Sequence, residues 1–382
     1  MLNQKLIDSE YGFLGKQLYF NFCTAGPLPL RAQKVSDQFA QEYTKAVLSG
    51  HISYDSSRDH CRKLLAQLIG CRADEIALTH STTEGMSILA SGFPLGPGDS
   101  VITCDIENPA GIYPWLNASK VRGFEVRMIK TQNGRLTCED IVKHMDHTTK
   151  VVAVSLVQAG TGYLTDAARI GEECRKRGIV FAVDAIQALG RLHVNVQELG
   201  IDYLTCGGYK GLLAGFGVGF MFCRQDLNCQ IVPPYAGMQN STYMAPYPNA
   251  LDSPDLFELR KDGQRFEAGS DNTYGIRVME NSLSFLMELG PREIDQHIRR
   301  LERRLRERLD LSELKLFGRG EPECWSGIVA MQYPEHRYEK ARQIFDEENI
   351  CLTHRPGYIR LAINFNHTDE QIDTLADALL RI

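Results

Sequence analysis

Seven short runs rich in β-branched and aromatic residues constrain this chain more than any other feature: EIALT (75–79), SVITC (100–104), EVRMI (125–129), KVVAVSL (150–156), IVFAV (179–183), DYLTC (202–206) and VGFMF (218–222). A strand apolar on both faces must be covered on both faces. Such strands alternating with amphipathic stretches predict a mainly parallel sheet with helices on either side. The stretch 164–178, LTDAARIGEECRKRG, illustrates the intervening helices and ends on Gly178, where a helix C-cap favours glycine. The expected architecture is α/β, with an N-terminal segment over 1–15 and a large domain with a seven-stranded sheet over 16–250. A smaller α+β domain is expected over 251–382, from helical patterns at 275–289, 292–309, 336–349 and 368–381 and short strands at 326–331 and 358–363. The segment 230–262, with prolines at 233, 234, 246, 248 and 254, reads as a long surface excursion at a site mouth or subunit contact.

Composition removes several classes of function. A net charge of −6 lacks the basic footprint that nucleic-acid binding requires. No apolar run approaches the roughly 20 residues of a membrane helix. The N-terminal MLNQKLIDSEYGFLGKQ has neither an apolar core nor a small-residue cleavage site, so a cytoplasmic protein is expected. The 11 cysteines are scattered without a CxxC pair, which predicts buried packing groups and neither a disulfide framework nor a metal site.

The chemistry concentrates in 179–219, IVFAVDAIQALGRLHVNVQELGIDYLTCGGYKGLLAGFGVG. One apolar strand ends in Asp184, Gln187 follows, and a second strand leads to a glycine-flanked Lys210. Functional side chains gather at the carboxyl ends of parallel strands, so the two segments can converge on one ligand. Pyridoxal 5′-phosphate (PLP) chemistry needs this pair: an amine to form a Schiff base and a carboxylate to keep the pyridine nitrogen protonated. Taken singly, Asp184 reads as an ordinary helix cap and Lys210 as a surface lysine. A third segment, His80-Ser81-Thr82-Thr83-Glu84-Gly85, opens a helix after the first strand. It reads either as a capping box or as a phosphate site built from backbone N–H groups and small hydroxyls.

Together these segments resemble class V PLP-dependent enzymes, the group of aminotransferases, cysteine desulfurases and isopenicillin N epimerase-like proteins. VDAIQ…GGYK…GFGVG resembles the lysine segment, STTEGM the phosphate loop, FEAGSDNTYGI (266–276) the FEAGT segment, GYIRLAINFNHTDEQID (357–373) the C-terminal arginine segment, and YFNFCTAGPLP (19–29) the N-terminal strand and turn. The resemblance implies the PLP-dependent transferase fold type I and a homodimer with shared active sites. It implies Lys210 as the Schiff-base lysine, Asp184 on the pyridinium nitrogen and Gln187 on the phenolic oxygen. It implies Thr82 and Thr83 as phosphate ligands, Ser270 as a phosphate ligand of the neighbouring subunit, and Arg360 as the clamp on the substrate α-carboxylate.

Departures bear on the reaction. Gly207 and Tyr209 stand where many members have Ser and His, so Tyr209 is the candidate to replace a lost phosphate contact. Asn108, within Glu107-Asn108-Pro109, stands where a ring-stacking residue is usual. The expected activity is PLP-dependent chemistry on an amino acid or amine, of aminotransferase type. The alternatives are a C–S lyase or cysteine desulfurase-like enzyme, and a non-catalytic binding protein of the same fold. The small-molecule substrate itself is not legible.

Overall fold

The computed structural model describes residues 2–49, 56–237, 239–242, 257–309, 314–317 and 321–382. Its strands, in chain order, are β1 (Leu18–Tyr19), β2 (Ile76–Thr79), β3 (Ser100–Cys104), β4 (Glu125–Ile129), β5 (Thr149–Ser155), β6 (Val180–Asp184), β7 (Tyr203–Gly207), β8 (Gly219–Cys223), β9 (Lys315–Leu316), β10 (Ile328–Gln332), β11 (Ile350–Cys351), β12 (Thr353–Arg355) and β13 (Tyr358–Ala362). Strands β2 to β8 form one seven-stranded sheet in the order β2-β8-β7-β6-β5-β3-β4. All pairings are parallel except the two made by β8, which runs antiparallel to β2 and β7. Each of the seven apolar runs is thus a strand of one sheet.

Period-2 side-chain alternation explains why these runs are apolar throughout. Along β6, Val180 and Ala182 face a core with Met86, Leu89 and Trp115 from the helices Thr82–Gly92 and Pro109–Arg122. Phe181 and Val183 face the opposite core, with Leu65, Ile170 and Met279 from Ser57–Ile69, Ala167–Arg177 and Thr273–Leu289. Gly178 closes Ala167–Arg177 with φ 66°, the left-handed cap anticipated for it.

A four-stranded antiparallel sheet, β12-β13-β10-β9, lies in the C-terminal part, flanked by Pro291–Leu309, Tyr338–Glu347 and Asp369–Leu380. Pairing also links the start of the chain to the C-terminal part. β1 pairs in parallel with β11, and Asn21 bridges to Ala362, so residues 18–21, at the start of the expected large domain, pair with the C-terminal part. Residues 238 and 243–256 of the proline-rich excursion lie outside the described residues; what is described includes a bridge between Ser241 and Leu259. Of the cysteines, seven are buried and all are free, and Cys229 is exposed. Among the described residues no helix is long and apolar enough to cross a membrane.

One contact sets how closely the first helix after β2 approaches the sheet. A Cβ on Gly85 would lie 2.2 Å from Thr205 Oγ1 on β7. Gly85→Ala is therefore expected to destabilise the protein by about 1–3 kcal/mol through overpacking, measured by denaturant unfolding. A variant as stable as the parent would show that the helix can lift off without cost.

Candidate active site

Asp184 ends β6, and Lys210 lies just beyond the end of β7, on neighbouring parallel strands registered at Asp184 and Thr205. Both side chains are buried, at 3% and 8% exposure. Asp184 Oδ1 accepts the Ile186 N–H at 2.9 Å, a local bond like that of a helix cap. Burial pushes the Asp184 carboxyl up to about 7; the Glu107 carboxylate adds to the rise and Lys210 opposes it. Burial lowers the pKa of Lys210, with Asp184 resisting and Arg360 adding to the drop. Among the described residues Lys210 Nζ has no hydrogen bond or ion pair; it lies 5.5 Å from the centre of the Tyr209 ring. A buried amine and a buried carboxylate, each shifted chiefly by burial toward its neutral form, mark a candidate ligand site.

The helix Thr82–Gly92 begins beside them. Ser81 caps it by accepting the Glu84 N–H, which leaves the Thr82 and Thr83 N–H groups with no acceptor among the described residues. The Thr82 hydroxyl accepts the Gly207 N–H at 2.9 Å, so its own O–H remains free to donate. Thr82 is buried and Thr83 exposed at the helix N-terminus. This terminus, facing the turn before Lys210, is suited to an anion.

The third wall comes from residues 23–26, which follow β1. Gly26 N–H donates to the Tyr209 carbonyl, and a Cβ on Gly26 would lie 2.3 Å from the Lys210 carbonyl. Gln187 Nε2 donates to the Cys23 carbonyl at 3.0 Å, while its Oε1 is buried without a partner. From β13, Arg360 reaches the same region. Its Nη1 donates to the Ala159 carbonyl at 2.7 Å, and Nη2 contacts the Thr24 and Thr353 hydroxyls at 3.3 and 3.4 Å. Among the described residues no carboxylate pairs with Arg360. Thr24, within the 19–29 segment, and Glu107, beside Asn108, gather here without having been candidates themselves, and Thr353 joins them from outside the quoted motifs.

The remaining candidates sit differently. Tyr209 is half-buried and stacks on Phe216 with ring centres 4.6 Å apart. Asn108 is exposed, and its Oδ1 accepts the Ala110 N–H at 3.0 Å, making it the N-cap of Pro109–Arg122. That bond commits the side chain to its own helix. Ser270 is exposed, next to Asp271, which pairs with Arg58, and Asn272, whose Nδ2 donates to the Gly217 carbonyl at 2.9 Å. Its segment is thereby anchored to the glycine-rich turn that follows Lys210.

The aminotransferase class-V family model matches residues 27–375. The chain belongs to the class-V aminotransferase family. Its fold is PLP-dependent fold type I, and its cofactor class is PLP. It is 26% identical to a probable cysteine desulfurase of Methanothermobacter thermautotrophicus over 403 aligned positions, covering 98% of this chain and 97% of that protein. It is 27% identical to a cysteine desulfurase of Pectobacterium carotovorum over 349 positions, 86% of this chain and 82% of the other. Among solved structures, an apo cysteine desulfurase from Thermococcus onnurineus superposes with a TM-score of 0.85 at 22% identity, over 99% of this chain and 97% of that one. The cystine C–S lyase C-DES, in complex with its product cysteine persulfide, gives 0.85 at 22% identity over 97% and 99%. These structural likenesses concern the fold.

The residues present fit the cofactor. The amine without a partner, the buried carboxylate and the open helix N-terminus offer groups for the aldehyde, ring nitrogen and phosphate of PLP, and the orphaned Gln187 Oε1 would accept from its phenolic O–H. Lys210, Asp184, Gln187 and Thr82 are the residues that would hold it.

Proposed function

We propose that this chain is a PLP-dependent enzyme that cleaves the carbon–sulfur bond of a cysteine-class amino acid. The observation that carries the reading over aminotransferase chemistry is the near full-length similarity to proteins named cysteine desulfurases. When bound, PLP supplies an electron sink for charge that develops at the substrate Cα. The protein's part is to place and move protons. Lys210, with its pKa lowered by burial, is available as the base at Cα. Asp184 is the carboxylate that would keep the ring nitrogen protonated. Arg360, with its guanidinium edge on neutral oxygens only, retains its charge for a substrate carboxylate.

Desulfurases of this group pass sulfur to a cysteine on a loop just before the arginine segment, and the corresponding stretch here holds Cys351. That residue is fixed in β11, paired with Tyr19 of β1, and its carbonyl accepts the Phe20 N–H at 2.7 Å. Burial raises the Cys351 thiol, which keeps the nucleophilic thiolate scarce. His354, a candidate to lower it, instead stacks on Tyr338 and bonds the Tyr333 hydroxyl, and burial favours its neutral form. Sulfur is therefore expected to leave on a small molecule. Cys351→Ser should keep activity within about threefold, an effect under about 0.7 kcal/mol. A Cys351 persulfide seen by mass spectrometry after incubation with L-cysteine would restore the protein-thiol route.

The deciding experiment incubates purified holoenzyme with L-cysteine, L-cystine and a panel of amino donors. Sulfide or small-molecule persulfide from the sulfur amino acids supports the proposal. Keto acid formed with stoichiometric amino-group transfer, without sulfur release, would return the chain to the aminotransferases.

A further inference from the structure

A buried carboxylate outside the cofactor contacts ties the two halves of the site together. Glu107 is 8% exposed and has no cationic partner among the described residues. Its Oε1 accepts the Ser155 N–H at 2.7 Å and Gln158 Nε2 at 2.7 Å, its Oε2 accepts the Ser155 hydroxyl, and Cys104 Sγ lies 3.6 Å from Oε1. Four donors on one unpaired carboxylate in the interior are a large investment in one geometry, because losing an acceptor leaves each buried donor unsatisfied.

What that geometry holds is the turn after β5. Ser155 is registered against Asp184 across the sheet. Gln158, fully buried, opens a turn in which the Thr161 and Gly162 N–H groups donate back to its carbonyl. At Gly162 the backbone has φ 74°, and a Cβ would lie 2.0 Å from the Ile328 carbonyl, so the turn is pressed against β10. The two carbonyls at its tip point to β13. Ala159 accepts from Arg360 Nη1, and Gly160 accepts from the Tyr358 hydroxyl at 2.7 Å. Glu107 therefore fixes the turn that fixes Arg360.

We propose that Glu107 is a positioning residue for recognition of the substrate α-carboxylate, acting through Gln158 and the 158–162 turn on Arg360. The proposal rests on the reading of Arg360 given above. Without Glu107 the Gln158 carboxamide has no fixed acceptor, the turn loses its inner anchor, and the Arg360 guanidinium is no longer held at one place. The cofactor site, built from Lys210, Asp184, Gln187 and Thr82, keeps its own contacts.

The test titrates holoenzyme with L-alanine and with ethylamine, which lacks the carboxylate, following the cofactor absorbance. Glu107→Ala is expected to weaken the L-alanine titration by about tenfold or more, equivalent to about 1.4 kcal/mol, while ethylamine stays within about threefold. Gln158→Leu cuts only the link to the turn and should do the same, which keeps the test open if Glu107→Ala does not fold. Glu107→Gln, which retains an acceptor for Ser155 N–H and Gln158, should restore the parent ratio. Equal weakening of both amines, or no change with either variant, overturns the proposal. An Arg360→Ala variant that leaves the alanine-to-ethylamine ratio unchanged removes the carboxylate role of Arg360, and the proposal with it.

Discussion

Lys210→Ala is expected to abolish covalent attachment of PLP and to lower turnover by about 10³-fold or more, within the range for loss of a positioned acid–base group added to loss of the covalent anchor. The direct measurement is borohydride treatment, which should fix cofactor absorbance to the parent protein and leave none on the variant. The fold should survive. The lysine is buried with its charged form disfavoured, so its removal relieves a desolvation cost. A shift in melting temperature of no more than about 1 °C, about 1 kcal/mol for a chain of 382 residues, is expected. Near-parental activity in the variant would end the assignment of this site.

Asp184→Asn is expected to separate stability from catalysis. In the cofactor-free protein the Asp184 pKa is raised to about 7, above its unfolded value. Between about pH 4 and pH 7 the folded state therefore binds more protons than the unfolded state, and stability falls as pH rises through that window. The cost is on the order of a few kcal/mol by pH 8. Lys210 acts in the opposite sense at higher pH, because its lowered pKa makes stability rise from its folded value toward about 10.4. The Asn variant lacks the Asp184 component, so its cofactor-free form should be more stable than the parent at pH 8 and no different at pH 4. With PLP present the parent should lose most of this sensitivity, since a protonated ring nitrogen compensates the carboxylate. Turnover of the variant should fall about 100-fold or more, about 2.7 kcal/mol, because an amide cannot hold that proton. Parallel pH–stability curves for the two cofactor-free proteins would show that Asp184 is not the strained group described here.

The sequence by itself determined the seven strands of the large sheet, because burial on both faces writes a local, continuous apolar pattern that needs no knowledge of neighbours. It also placed Asp184 and Lys210 at strand ends, since both follow directly on such runs. Tertiary structure alone decided the order of the strands. The insertion of β8 antiparallel between β2 and β7 depends on pairings that apolar runs specify no better than their alternatives. It also decided what the polar residues do. Arg360 could equally have been a surface ion pair; only the fold shows it bonded to the Ala159 carbonyl and two hydroxyls, 201 positions and more from most of its partners. Asn108, expected near the ring, is spent on capping its own helix, because a local N–H lies within reach before any ligand does. In the sequence Glu107 stands only as a neighbour of Asn108, and Gln158-Ala159 only as a departure from the Ser-Asn pair of desulfurases, with no link between them. Their meaning arises only when the ends of β3 and β5 come together and leave one carboxylate, cut off from water, as the acceptor for every donor around it.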